Sequence, residues 1–186
     1  MRPLRFHLNV TLDGCIDHAV GHPNADTHRF AADFLASADA LLLGRITYQM
    51  MEEAWRRPAD RRWPDWVEPS MEPFATTIDE AHKYVVTSTL PDVDWNAEVV
   101  DPTELRSAVE SLRGEPGEGL AVGGHALATT LTQWGLIDEY VLVVHPVVAG
   151  HGPYLFGGLP DTVDLRPVDR TELGDGIAAI TFHPIT

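Results

Sequence analysis

Leu120-Ala121-Val122-Gly123-Gly124-His125-Ala126 is the stretch from which the fold can be read. Three apolar residues in a row suit a short strand buried on both faces, as in a parallel sheet. Two glycines stop the run, and a helical pattern follows from about Ala126 to Trp134. Paired glycines between strand and helix leave bare N–H groups at a helix N-terminus, a favourable seat for a pyrophosphate. The stretch is not the GxGxxG fingerprint, because the third glycine is missing. Nor is it a P-loop, because no Gly-Lys-Ser/Thr follows. Taken alone, it reads equally well as a close-packed turn.

Two other buried runs end in the same manner. Ala40-Leu41-Leu42-Leu43 stops at Gly44-Arg45-Ile46-Thr47, and a helix is predicted from Thr47 to Ala54. A glycine lets a ligand approach the backbone, and Arg45 offers a guanidinium fork for phosphate. Tyr84 to Thr87 runs into Ser88 and Thr89, whose hydroxyls suit a phosphate or ribose, or else cap local backbone. A basic, a hydroxyl and a diglycine site at successive strand ends suit a dinucleotide laid across the edge of a sheet, with Arg45 and Ser88 near a 2′-phosphate.

The remaining pattern agrees. Phe6, Leu8 and Val10 alternate with polar residues as a first strand, closed by an Asp13-Gly14 turn. Residues 17–25 form a surface loop, and a helix opens near Asp26, capped by Asn24 or Asp26, with Phe30, Phe34 and Leu35 on one face. Asp101-Pro102-Thr103-Glu104 starts a further helix. Tyr140 to Val148 is a strand, apolar at nearly every position. Runs near 163–173 and 177–183, split by Gly174-Asp175-Gly176, make a closing hairpin. Residues 55–73 form a long loop whose Trp55, Trp63 and Trp66 either line a pocket or pack onto the core. Alternating strands and helices imply an α/β fold, a mostly parallel central sheet with helices on both faces and a C-terminal antiparallel hairpin. Residues 1–186 are expected to form one domain.

The charge balance limits the partners. Asp and Glu number 28 against 13 Lys and Arg, a formal net charge of -15. That field repels nucleic acid and anionic membrane, so neither is an expected partner. A phosphorylated ligand must be held by a few local arginines or backbone N–H groups. The single cysteine, Cys15, forms no internal disulfide, no secretory or membrane-spanning run is visible, and a cytoplasmic location is expected. His18, His22 and His28 sit in a Gly/Pro/Asn loop without metal-type spacing, so no metal is expected. Ser88 and Ser111 lack the Gly-x-Ser-x-Gly elbow of a hydrolase.

In order along the chain, Thr11-Leu12-Asp13-Gly14, Leu43-Gly44-Arg45-Ile46-Thr47-Tyr48, Val86-Thr87-Ser88-Thr89-Leu90, Val122-Gly123-Gly124 and Gly135-Leu136-Ile137-Asp138-Glu139 resemble the dihydrofolate reductase superfamily. Pro146-Val147-Val148-Ala149-Gly150-His151-Gly152 with Leu155-Phe156 is similar to the riboflavin-biosynthesis reductase domain, the C-terminal part of the deaminase/reductase, and its stand-alone relatives. The resemblance implies a dihydrofolate reductase-like fold, NADPH, and hydride transfer to a C=N or carbonyl-type carbon. The small heterocyclic substrate would be pterin-like or 5-amino-6-(5-phosphoribosylamino)uracil-like. Gly44, Arg45, Thr47, Thr87, Ser88, Gly123 and Gly124, with His125 beside them, would contact cofactor.

A homodimer is implied too, and the apolar Tyr140–Val148 strand would supply its interface if it lay at an edge. The superfamily's substrate-side acid has two candidates here, Asp26 and Asp13. Arg29, Arg56, Arg57 and Arg61 are candidates for a substrate phosphate site. The rival reading is a non-catalytic binding protein on the same fold, holding a nucleotide-like or planar aromatic ligand.

Overall fold

The computed structural model describes residues 1–185. Eight strands form one sheet: β1 (Leu4–Thr11), β2 (Ala40–Gly44), β3 (His82–Val86), β4 (Ala97–Val100), β5 (Leu120–Gly123), β6 (Glu139–His145), β7 (Leu165–Glu172) and β8 (Ala178–Pro184). Their order across the sheet is β4-β3-β2-β5-β1-β6-β8-β7. The pairs from β4 to β6 are parallel, and β8 and β7 add antiparallel pairs. The carboxyl ends of six strands therefore lie along one edge.

Five helices cover the two faces: α1 (Ala25–Ala36), α2 (Arg45–Trp55), α3 (Glu72–Glu80), α4 (Leu105–Gly114) and α5 (His125–Gln133). Side chains alternate across a strand, so each strand feeds both layers. Leu4, Phe6, Leu42, Leu120 and Val122 pack with Val109, Leu112, Ala128 and Leu131 of α4 and α5. Leu41, Leu43, Val85 and Ala121 pack on the other side with Tyr48 and Ile78 of α2 and α3 and with Phe34 and Leu35 of α1. This is the dihydrofolate reductase-like architecture expected from the sequence, with helices on both faces.

Three details differ from the sequence reading, and one alternative left open there is resolved. Helix α3 falls inside and just after the stretch assigned to the Trp loop. Thr76 and Thr77 weaken its helical signal, and only Ala75 and Ile78 are buried. Strand β4 has only four residues, pairs with β3 alone and leaves Val99 exposed, so its alternation is faint. Helix α1 is capped by Asn24, whose side chain accepts from the Thr27 N–H while the Thr27 hydroxyl accepts from the Asn24 N–H. Asp26 therefore does not cap it.

Strand β6 is not at an edge. It runs between β1 and β8, with Tyr140, Val141, Val143 and His145 buried. Its apolar character is satisfied within the chain, which removes the edge premise for a dimer through this strand. It ends at His145 because Pro146 has no N–H to give the ladder. The hairpin lies where expected, with Gly174, Asp175 and Gly176 all at positive φ and the Leu173 N–H bonded to the Ile177 carbonyl.

Candidate functional site

Strands β3, β2 and β5 are neighbours, so the three strand ends singled out in the sequence lie side by side. Gly44 pairs with Val86 and Leu43 with Gly123. Gly44 is the N-cap of α2 and Gly124 the N-cap of α5, and neither contributes a capping side chain. Two helix N-termini with bare first-turn N–H groups thus meet at one sheet edge, where anions are favoured. Arg45 begins α2 in solvent, its Nη1 donating to Gln49 Oε1 at 3.1 Å. Ser88 is exposed and Thr87 is buried. The Thr87 hydroxyl accepts from the Thr89 and Leu90 N–H groups at 3.1 and 3.2 Å, so it is committed to the local turn.

The diglycine has a packing reason of its own. Gly124 sits at φ +100°, and a Cβ there would lie 2.5 Å from Thr47 Oγ1; a Cβ on Gly123 would lie 2.6 Å from Leu43 Cδ2. The entry of α5 therefore rests directly against β2 and the first turn of α2. At Gly44 a Cβ would meet nothing, which leaves open space above that strand end.

A cavity of about 680 Å³ continues from this edge between the sheet and helices α1 to α3. Thr47, Gly123, Gly124 and His125 border the end nearest the diglycine. Its floor carries His7, Asn9 and Thr11 from one face of β1, and His145, which stands opposite Thr11 on β6. Thr27, His28, Ala31, Phe34 and Leu35 of α1 make one wall, and Met50, Met51, Trp55 and Phe74 of α2 and α3 the other. Trp55 fulfils both readings of the Trp loop: it lines the cavity and packs edge-on against Trp66 and Phe74 at 5.2 and 4.9 Å. Trp63 lies under Arg57, 4.4 Å from its guanidinium carbon.

The floor holds two imidazoles the sequence reading did not single out. His7 stacks on Phe34 at 4.8 Å, its Nε2 has no hydrogen-bond partner, and burial pushes its pKa down to about 4. His145 is buried, with Nε2 3.1 Å from Asn9 Oδ1 and Nδ1 unpartnered. Burial lowers its pKa, and His22 nearby acts in the same direction. Both are therefore neutral at neutral pH. Their signal in the sequence was the run His7, Asn9, Thr11: polar side chains at every second position of a strand that lies mid-sheet.

The two expected acids lie elsewhere. The Asp13 carboxylate accepts from the Thr11 hydroxyl and from the Gly150 and Ala149 N–H groups at 2.8 and 3.1 Å, which pull its pKa down to about 2. It is an exposed anion that braces the loop after β6, outside the cavity lining, and it holds no proton to donate near neutral pH. Asp26 lies on the first turn of α1, paired with Arg29 and also outside the lining. The carboxylate that does line the cavity is Asp17, whose Oδ1 accepts from the Ala19 N–H at 2.9 Å. Among the four arginines proposed for a substrate phosphate, Arg29 pairs with Asp26, Arg56 pairs with Glu52 and Asp94, Arg57 donates to Thr76, and none lines the cavity. Among the described residues, no group of three or more His, Cys, Asp or Glu is placed to hold a metal, and no helix is long and apolar enough to cross a membrane.

Comparison with known proteins agrees with this architecture. A pyrimidine reductase-like protein from Corynebacterium diphtheriae superposes with a TM-score of 0.67 at 11% identity, over 100% of this chain and 92% of that one. A Thermotoga maritima diaminohydroxyphosphoribosylaminopyrimidine deaminase/5-amino-6-(5-phosphoribosylamino)uracil reductase superposes with a TM-score of 0.65 at 18% identity, over 99% of this chain and 57% of the longer one. At these identities the likeness is one of fold. In sequence, the uncharacterized protein YyaP of Bacillus subtilis (strain 168) is 29% identical over 98% of this chain and 95% of its own length. The family model of the RibD C-terminal domain matches residues 2–179. The chain belongs to the RibD C-terminal domain family.

Proposed function

We propose that the chain works as one domain, in the cytoplasm, as an NADPH-dependent reductase of a small heterocyclic substrate, pterin-like or 5-amino-6-(5-phosphoribosylamino)uracil-like. The observation that carries this reading is the pair of helix N-termini, capped by Gly44 and Gly124, that meet at the edge of the cavity. The residues fit a dinucleotide. The first-turn N–H groups of α2 and α5 would hold its phosphates against the negative field of the chain. Arg45 has only an exposed bond to Gln49 to give up, and with Ser88 on the next strand end it would hold a 2′-phosphate. When bound, NADPH supplies the hydride for reduction of a C=N or carbonyl-type carbon.

The chain's own residues orient the partner. The aromatic and thioether side chains of α1 to α3 would clamp a flat ring over the floor of β1 and β6 and exclude water from it. The proton that accompanies reduction would come from solvent. Oxidation of NADPH followed at 340 nm across a panel of pterins and aminopyrimidines tests the reading. Turnover of any member supports it, and NADPH binding without turnover of any member favours the rival, a non-catalytic binding protein. The rival draws on one observation, that neither Asp13 nor Asp26 reaches the cavity.

A homodimer belongs to the same proposal. With β6 interior, one exposed surface is the outer hairpin, where Pro167, Val168, Ile180 and Phe182 border a shallow recess with Asp169 and Arg170, and β7 is exposed along nearly its whole length. Sedimentation at micromolar concentration checks it, and a clean monomer would remove it.

A further inference from the structure

We propose that the cavity takes an uncharged, phosphate-free planar heterocycle, read at two points by His7 and His145. This rests on the reductase reading and narrows its substrate class.

Charge carries the first half. Among the described residues that line the cavity there is no Arg and no Lys, and the one formally charged side chain, imidazoles aside, is the carboxylate of Asp17. A phosphate taken out of water needs charge-assisted partners, and without them its burial is costly. None of the four candidate arginines lines the cavity, and two of them are engaged on the outside, Arg29 by Asp26 and Arg56 by Glu52 and Asp94. The floor imidazoles do not substitute for them. Burial holds His7 and His145 in the neutral form, and it lowers His28 on the α1 wall as well. The net charge of -15 adds repulsion at longer range.

Shape and hydrogen bonding carry the second half. Phe34 on one wall and Trp55 and Phe74 on the other present aromatic surface to a flat ring. At the floor, His7 Nε2 and His145 Nδ1 are buried and unpartnered, with Asn9 between them on the strand face. When His145 Nε2 donates to Asn9 Oδ1, its Nδ1 is an acceptor and suits a ring N–H. His7 donates or accepts according to its tautomer. A ligand group that pairs with either nitrogen removes the cost of leaving it unpaired, and an analogue that lacks that group does not.

The test uses probe pairs that differ only by a phosphate: riboflavin against riboflavin 5′-phosphate, and 5-amino-6-ribitylaminouracil against its 5′-phosphate. Each is titrated calorimetrically into the full chain at pH 7.5, with and without saturating NADPH. At least one uncharged member is expected to bind, and to bind tenfold or more tightly than its phosphate. Binding of the phosphate as tightly as its partner, or no binding by either uncharged member, overturns the proposal.

His7→Leu and His145→Leu should each weaken the uncharged probe about tenfold and leave NADPH affinity unchanged. Unchanged probe affinity in both overturns the role of the imidazoles. Should those variants fail to fold, Met50→Arg, on the exposed side of the wall, places a cation at the cavity. It should raise affinity for the phosphorylated probe about tenfold, and no gain there overturns the role of charge. The titrations without NADPH separate this proposal from the one beneath it. Uncharged probes that bind a protein unable to bind NADPH sink the reductase reading alone. NADPH binding together with preferred phosphate esters sinks this one alone.

Discussion

The edge formed by the ends of β3, β2 and β5 and the floor formed by β1 and β6 are built on different physics. The edge is built from backbone: two glycine-capped helix starts and glycines packed so tightly that a Cβ would strike Thr47 or Leu43. It lies open to solvent, and its one guanidinium, Arg45, is exposed. In the proposed reading it would read charge, and suitably spaced phosphates would satisfy it. The floor is built from side chains, His7, Asn9, Thr11 and His145, set below aromatic walls without a cation. In the proposed reading it would read the hydrogen-bonding outline of a ring. If the proposal holds, a common edge joined to a particular floor would let one fold keep its cofactor while its substrate changes.

Gly124→Val should break the edge most severely. A β-branched residue at φ +100° whose Cβ falls 2.5 Å from Thr47 Oγ1 should cost about 2–5 kcal/mol of stability and abolish NADPH binding. Chemical denaturation and calorimetry check both, and a variant of normal stability and affinity would mean that neither packing nor phosphate seating depends on this turn.

The floor should show itself through pH. The His7 pKa lies at about 4, below the 6.5 of a free imidazole. As pH falls, the unfolded chain takes up that proton first, so the contribution is complete above about 6.5 and is lost towards 4. The loss reaches up to about 3 kcal/mol, and His7→Gln should remove that part of the slope in denaturation midpoints measured across the window. An identical slope in the variant would place His7 in water.

Arg45→Ala should cost about 1.5–3 kcal/mol of NADPH affinity and leave NADH nearly unaffected. Equal losses for the two cofactors would move the 2′-phosphate elsewhere. Asp13→Asn should act on neither region directly. Its carboxylate is held well below the usual range, so the brace persists at neutral pH and weakens as pH falls towards about 2. The variant should speed amide exchange at Ala149 and Gly150 with little change in NADPH affinity, and a large loss of turnover at intact affinity would restore Asp13 as an acid. The smallest effect is expected for Asp26→Asn, because Asn24 caps α1 and Asp26 pairs only with Arg29 in solvent. A fall in turnover on the order of 10²-fold would return it to the site.

The edge was legible in the sequence because each part is local: an apolar run, a glycine and a helix start within about eight residues. The closing hairpin was legible for the same reason, through Gly174-Asp175-Gly176. The floor was not, because His145 joins the His7–Asn9–Thr11 face of β1 only through the β1–β6 pairing, across more than a hundred residues. Asp26 attracted attention as an acid at a helix start, yet spacing alone does not reveal that Asn24 takes the cap and turns Asp26 outward. Whether strand β6 lay at an edge was open in the sequence, because an apolar run looks the same whether a neighbour strand or a partner covers it. Here β8, arriving some forty residues later, covers it.

The central claim is that this edge is a dinucleotide site selective for the 2′-phosphate. Calorimetric titration of the wild-type chain with NADPH and with NADH tests it most directly. The account predicts saturable 1:1 binding of NADPH at least tenfold tighter than that of NADH. Absence of NADPH binding, or equal affinity for the two, would contradict it.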